Sequence, residues 1–460
     1  MTNNIEKINN IENKNNNIAN EILENFIDLI DSKKESSIFN LVDELHVADQ
    51  AEIIQLLDQK RREQLLTLLK DKFDLEILTY IDASIRDEII EFLGIESLAT
   101  NVTDLDVDDA VDVVEDLEKS DQEKILKNLT VSERQLIQEG LNYPEDSAGR
   151  LMQRNFISVD KDFNVGQAID ILRSKTTLPE DFYDIYLVDG ENKVRGIVPL
   201  GRIMGSKREI FLKDIKNKKT RTIFASADQE EVAYMFNKYG LVSAPVLNEK
   251  EILIGSITFD DVVDVIEEEH EEDIFKMGGV GQTDLYDAVI TTTKLRFSWL
   301  LVNLLTAVVA SIVIGFFQAS IEKVVALAVL MPIVASMGGN AGTQTLTISV
   351  RALATKELTA TNAFKIVCKQ IFVGGINGFI FAIILGILAS FWFNDQMLGF
   401  VIALAMIINL IIAGFAGTLI PLTLNKLKID PALASGVILT TLTDVVGFLS
   451  FLGLATILLI

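Results

Sequence analysis

Hydrophobic and polar positions follow three different rules along the 460-residue chain. In the C-terminal part apolar residues run almost unbroken through Phe297–Phe317, Val324–Ser349, Ile371–Trp392, Leu398–Leu424 and Ala432–Ile460. Each stretch reaches the roughly 20 residues that an α-helix needs to cross a hydrocarbon core, which predicts five membrane helices. Between residues 145 and 267 the pattern duplicates itself: YLVDGENKVRGIVPLGRI returns as PVLNEKEILIGSITFDDV, with Gly196 and Gly255 in register at an offset of 59. Upstream, VGQAIDIL matches EEVAYMF, the first copy carrying a longer loop around TTLPEDFYD. Each copy reads as a strand, a helix, two strands joined by a polar turn, and a helix. Residues 21–138 show helical periodicity in short segments such as LVDELHVADQAEIIQLL and DDAVDVVEDL, which predicts a stack of short helices. The expected fold is therefore multi-domain: an all-α helical superhelix, an α/β pair, and an all-α membrane domain.

The repeats and the first apolar stretch are joined by FDDVVDVIEEEHEEDIFKMGGV, Phe259–Val280. Helical spacing puts Asp261, Asp264, Glu268, Glu271 and Glu272 largely on one face and Val263, Ile266 and His270 on another. Like charges so placed repel unless cations screen them, and a solvated acidic linker fits the same pattern. The glycines of MGGVGQTD are expected to free its far end. Charge divides the chain in the same way: residues 1–283 hold 59 acids against 32 bases, whereas residues 284–460 hold 7 against 9. The Asn-rich start, MTNNIEKINNIENKNNNIAN, reads as a disordered tail and not as a cleavable signal, so the acidic region is expected in the cytoplasm. Lys294, Arg296, Arg351, Lys356, Lys365, Lys369, Lys426 and Lys428 then flank the apolar stretches on one side and Lys323 on the other. The basic side is cytoplasmic, which orients the chain in the cell membrane with its C-terminus outside. A single cysteine, Cys368, excludes an internal disulfide and a cysteine-based zinc cluster, and His46 reads as a helix-surface residue. No Walker loop, nucleophile elbow or His-rich site points to an enzyme, and no nucleic-acid partner is expected.

Asp444 is the one acid well inside an apolar stretch, where an ionised carboxylate costs several kcal/mol unless it meets water or a cation. Gly436, Thr440, Asp444 and Gly447 recur on one helical face, small and polar, suited to a cavity. In the second stretch, MPIVASMGGNAGTQTLTISV, Ser336, Asn340, Thr343 and Thr347 also share a face. Pro332, Gly338, Gly339 and Gly342 are expected to loosen that helix, with close helix packing as the other use of its glycines. One carboxylate among hydroxyls, amides and carbonyls suits Mg²⁺, a hard cation that keeps much of its water. A twofold homodimer would bring two Asp444 residues together, and a pore is expected there.

These features, and above all PIVASMGGNAGTQTLTISVRALAT, DPALASGVILTTLTDVVGF and DDVVDVIEEEHEEDI, resemble the MgtE family of magnesium channels. The resemblance covers nearly all of the chain after the tail. It implies an N domain over residues 21–138 after a tail at 1–20, CBS modules at 145–204 and 208–262, a plug helix and linker at 259–296, and a membrane domain at 297–460. It implies inward Mg²⁺ conduction through a homodimer, with Asp444 as the pore aspartate. It also implies closure by cytosolic Mg²⁺ held at Asp261, Asp264, Glu269, Glu272 and Asp273 of the plug, Asp228 and Glu230 of the second CBS module, and Asp108, Asp112 and Glu76 of the N domain. Paired CBS modules often bind adenine nucleotides; ATP would meet Tyr186 and Arg202 here, ordinary core and surface roles being the alternative. Two departures stand out: Gly240 follows Tyr239 where relatives can carry an acid, and Gly436 stands where some carry Asn. An ion-coupled secondary transporter and a membrane-anchored Mg²⁺ or nucleotide sensor are the competing readings.

Overall fold

The computed structural model describes residues 22–70, 72–115, 117–174, 178–179, 182–280 and 289–460. The Asn-rich tail, part of the TTLPEDFYD loop and residues 281–284 of MGGVGQTD lie outside them. The chain forms two compact units, Met1–Ile266 and Glu267–Ile460.

Short helices fill the first unit up to Val131–Leu141, several of them started by a local cap. Asp58 accepts from the Arg61 N–H, and Thr130 and Glu133 form a reciprocal capping box. His46 is spent in the same way: its Nδ1 accepts from the Ala48 N–H at 3.2 Å. The apolar stripes of these helices meet in one core that includes Phe26, Ile54, Leu66, Ile89 and Val114. Arg62 lies inside it, its guanidinium donating to the Ile54 and Leu57 carbonyls and paired with Glu88 at 2.6 Å. Such a charge is tolerated because its donors are matched.

The duplicated region forms two three-stranded sheets. The first contains β1 (Ser158–Asp160), β2 (Asp184–Val188) and β3 (Val194–Pro199); the second contains β4 (Ile223–Phe224), β5 (Ser243–Leu247) and β6 (Leu253–Thr258). In each, the first strand pairs parallel to the second and the second antiparallel to the third, with helices Val165–Ser174 and Gln229–Tyr239 as crossovers. Gly196 opposite Leu187 and Gly255 opposite Val246 keep the register of the repeat. The copies are bonded to each other through Tyr186, which is 1% exposed and whose hydroxyl reaches Ser243 at 3.0 Å and Ser256 at 2.5 Å. Gly240 ends its helix in the left-handed region at φ +58°, so the departure noted after Tyr239 meets a backbone need that an acid would satisfy only with strain.

The helix that closes the first copy, Leu200–Met204, is five residues long, whereas its counterpart Phe259–Gly278 continues for 20. Val262 and Val265 are its buried residues, with Ile266 packed beside them on the second copy's core. Val263, expected on the apolar face, is exposed: the core lies against positions 262, 265 and 266 instead.

In the second unit the five apolar helices are Val289–Gly315, Ala326–Ala354, Ala363–Phe393, Gln396–Lys426 and Pro431–Leu458. The second has the lowest mean hydropathy, 1.3. It runs unbroken through Pro332 and its glycines, contrary to the loosening expected. Gly338 and Gly342 are packing sites instead: a Cβ on Gly342 would come within 3.0 Å of Leu439. The third and fourth helices approach closely through backbone, where a Cβ on Gly374 would lie 2.4 Å from the Leu410 carbonyl oxygen.

Tyr186→Phe removes a hydroxyl that two buried serines share, and is expected to cost about 1–3 kcal/mol of stability. Denaturant unfolding of the full chain in detergent, followed by a probe in the CBS pair, measures it.

Candidate functional site

Three separate segments bring acids to one place. Asp108 and Asp109 stand on the first turn of Val107–Glu115, whose Ala110, Val111, Val113 and Val114 are buried and so fix its rotation. Asp261 stands on the first turn of Phe259–Gly278, held by Val262 and Val265. Glu76 lies on the short helix Leu75–Tyr80. Oδ1 of Asp108 is sealed from solvent with no hydrogen-bond partner among the described residues. Burial pushes its carboxyl well above the usual carboxylate range, and the charges of Asp261, Asp109 and Asp106 add to the rise. Burial, then Asp106, Asp261, Asp112 and Glu76, pushes Asp109 up to about 7.

Asp261 is likewise pushed up to about 6 by burial, with Asp260 adding to the rise. It accepts from the Thr258 hydroxyl at 2.8 Å and from Nε2 of Gln153 at 3.4 Å, and both bonds oppose the shift. Tyr80 is raised by its own burial and then by Glu76, Asp109, Asp264 and Asp260, which puts Asp264 on the same patch. Asp112 sits at the margin, paired with Arg86 at 2.8 Å.

Thus Asp108, Asp112, Glu76, Asp261 and Asp264 come together as one acidic patch. The sequence pattern did not single out Asp109, Asp106 and Asp260, although the run DLDVDDAVD already showed an acid-rich helix start. The remaining expected ligands have other surroundings. Asp228 caps Gln229–Tyr239, accepting from the Glu230 N–H at 2.9 Å, and Glu230 belongs to that helix's first turn. Glu269 lies further along the connecting helix. Glu272 pairs with Lys276 at 2.5 Å, and Lys276 also reaches Asp430, the cap of the last helix, at 2.7 Å. Burial works against the Lys276 charge, but Asp430 and Glu272 outweigh it and raise its pKa. Asp273 beside them is raised by burial and by Asp430.

Every acidic donor in the patch is a hard oxygen, the set that suits Mg²⁺ and not a soft metal. Among the described residues no three acid, His or Cys side chains converge into a closed metal cage. An acidic patch that forms no closed cage fits a cation that keeps its water shell and is held partly through it.

In the membrane unit Asp444 is half-buried on the last helix. One turn before it Thr440 is exposed, its hydroxyl donating to the Gly436 carbonyl at 3.0 Å, and little stands near Gly436 where a side chain would be. Gly447 does not extend this face as expected: it is buried, and a Cβ there would lie 2.8 Å from Nδ2 of Asn409. On the second helix Asn340, Thr343 and Thr347 are exposed, with Asn340 donating to Ser336 at 3.4 Å. Asn409 itself, fully buried in the fourth helix, was not singled out from sequence; one amide in an apolar run was the available signal.

Arg202 lines an open cleft of about 730 Å³ with Ser206, Asp214, Lys216 and Lys218, and donates to the Ile215 carbonyl at 3.0 Å. Tyr186 is not part of that lining. Its ring is in the core between the two CBS copies, so the two residues expected to share a nucleotide do not meet in one pocket.

Comparison with known proteins gives this arrangement a family. Profiles match for the MgtE intracellular N domain at residues 45–146, the CBS domain at 148–208 and 212–268, and the MgtE divalent cation transporter at 331–454. The magnesium transporter MgtE of Bacillus subtilis is 32% identical over 319 residues, covering 69% of this chain and 70% of that protein. The chain belongs to the MgtE family of magnesium transporters. Its MgtE relative in Thermus thermophilus is 33% identical over 320 residues, 69% of this chain and 71% of that one. Among solved structures, the soluble part of a magnesium transporter aligns with a TM-score of 0.48 at 26% identity, covering 55% of this chain and 99% of that one. The cytosolic domain of the Mg²⁺ channel MgtE in complex with ATP aligns with a TM-score of 0.48 at 27% identity, covering 52% and 99%. With its five long apolar helices, this MgtE family member is a multi-pass membrane protein and not an enzyme.

The raised carboxyls set a pH dependence. Asp109 and Asp261 hold protons in the fold that the unfolded chain releases, so their stabilisation is present in acid and is lost as pH rises through about 6 to 7. Without divalent cations, the unfolding midpoint is expected to fall from about pH 5 to about pH 7.5, and Mg²⁺ to restore it at the upper end. Asp109→Asn should flatten the profile. A calorimetric midpoint independent of pH in the wild type would contradict this account.

Proposed function

We propose that this chain forms a homodimeric Mg²⁺ channel of the cell membrane that admits Mg²⁺ inward past Asp444 and closes when cytosolic Mg²⁺ collects at the patch around Asp108, Asp109 and Asp261. One observation carries the reading: burial, together with the charge of Asp261 on the connecting helix and of neighbouring acids, raises the pKa of the Asp108 and Asp109 carboxyls of the N domain. A divalent cation supplies the missing positive charge when bound. Asp108 and Asp109 on one side and Asp261 on the other would hold it, with Glu76 and Asp264 at the edge.

Repulsion then favours separation of the two surfaces at low Mg²⁺, and cation binding favours their approach. The shift is limited to the difference in affinity between the two arrangements, about 5.5 kcal/mol for a near-complete switch, which several weak sites acting together supply. In the membrane, Asp444 faces the ion while Thr440, the space at Gly436 and the Ser336–Asn340–Thr343–Thr347 stripe line its path, completed by the second subunit. The flanking lysines and arginines support a cytoplasmic N-terminus and an outside C-terminus. The basic cleft of Arg202, Lys216 and Lys218 supports ATP binding at the CBS pair through phosphate, with Tyr186 in a core role.

In proteoliposomes, Asp444→Ala is expected to reduce Mg²⁺ flux to background while the protein still folds. Wild-type currents should reverse at the Mg²⁺ equilibrium potential regardless of pH and sodium, which an ion-coupled transporter would not do. Patch recordings of Asp261→Asn/Asp264→Asn should show conduction persisting at high internal Mg²⁺; normal closure in that variant would count against the gating proposal.

A further inference from the structure

Asn409 is fully buried near the middle of the fourth apolar helix, and both halves of its carboxamide are informative. Nδ2 donates to the Val334 carbonyl of the second helix at 2.9 Å, and that acceptor settles which end of the amide is nitrogen. Oδ1 has no partner among the described residues. The side chain is wedged between two glycines on two other helices: an added Cβ on Gly338 would lie 2.2 Å from Nδ2, and one on Gly447 would lie 2.8 Å from it. On the sequence, Gly338 is close to Asn340 and Gly447 close to Asp444.

Packing alone does not call for this arrangement. An apolar side chain would leave no orphaned oxygen, whose burial costs about 1–3 kcal/mol. A polar group kept at such a cost inside apolar helices marks a functional position. We propose that Asn409 is a positioning residue for ion passage: its amide fixes the helix bearing Asn340 and the helix bearing Asp444 at one spacing. The proposal rests on Asp444 lining that path.

The test is Mg²⁺ flux through the full chain in proteoliposomes, with thermal unfolding in detergent as a separate readout. Asn409→Leu replaces the amide by an apolar group and is expected to lower maximal flux roughly tenfold in protein that still folds, with the cytosolic Mg²⁺ needed for half-closure unchanged. Asn409→Asp donates to Val334 only when protonated, so its flux should climb as pH falls, against a flatter wild-type profile. Gly338→Ala should reduce flux in the wild type and have little further effect in Asn409→Ala, because the clash partner is gone. Wild-type flux in Asn409→Leu, parallel pH profiles, or an equal Gly338→Ala effect in both backgrounds would each overturn the proposal. If Asn409→Leu does not fold, the Asn409→Asp profile and the glycine coupling decide. Normal flux in Asp444→Ala would instead sink the pore reading, and the Asn409 arms would still report on their own.

Discussion

Crowded, half-buried like charge is the constraint on which the cytoplasmic unit turns. Asp108, Asp109 and Asp261 are brought close by two helices whose apolar faces are satisfied elsewhere, so the carboxylates meet because packing forces them to. Around this patch the N domain and CBS pair are tied by Arg150 with Glu115, and by Arg154, which pairs with Glu139 at 3.3 Å and also bonds the Ile254 carbonyl. None of these pairs reaches Asp108, Asp109 or Asp261. A surface fastened throughout by ion pairs would have little reason to respond to a cation; one with a gap of negative charge does.

The membrane unit meets the opposite constraint, keeping polar groups where there is little water. Many of its hydroxyls are satisfied within their own helices: Thr443 donates to the Leu439 carbonyl at 3.1 Å, and Ser349 to that of Thr345 at 2.8 Å. Glycines let backbones approach, as at Gly374 against Leu410 and Gly414 against Gln370. The exceptions carry the chemistry. Asp444 and the Asn340 face are left partly uncovered within the protomer, and Asn409 is enclosed with an oxygen to spare.

Much of this was legible in the chain. Five apolar runs mark five helices because a membrane span has a minimum length, and the Gly196–Gly255 repeat marks two equivalent sheets because register demands it. Asp444 was legible for the same physical reason, since a charge inside an apolar run is expensive wherever that run folds. Asp109 and Asp260 were harder to see, because each is one acid among many until a neighbour distant in sequence is packed beside it.

Local sequence thus determined periodicity, span, repeat and the presence of a costly charge, all of which depend on residues near one another along the chain. Only the tertiary structure decided that both aspartates opening DDAVD are half-buried near Asp261, that Val262 and not Val263 docks the connecting helix, that Gly447 packs on Asn409 instead of lining a cavity, and that Tyr186 bonds serines in the core. Those outcomes depend on helix rotation and on partners far away in sequence, and rotation is set by the packing of whole faces, which single-chain spacing leaves open by a residue or more.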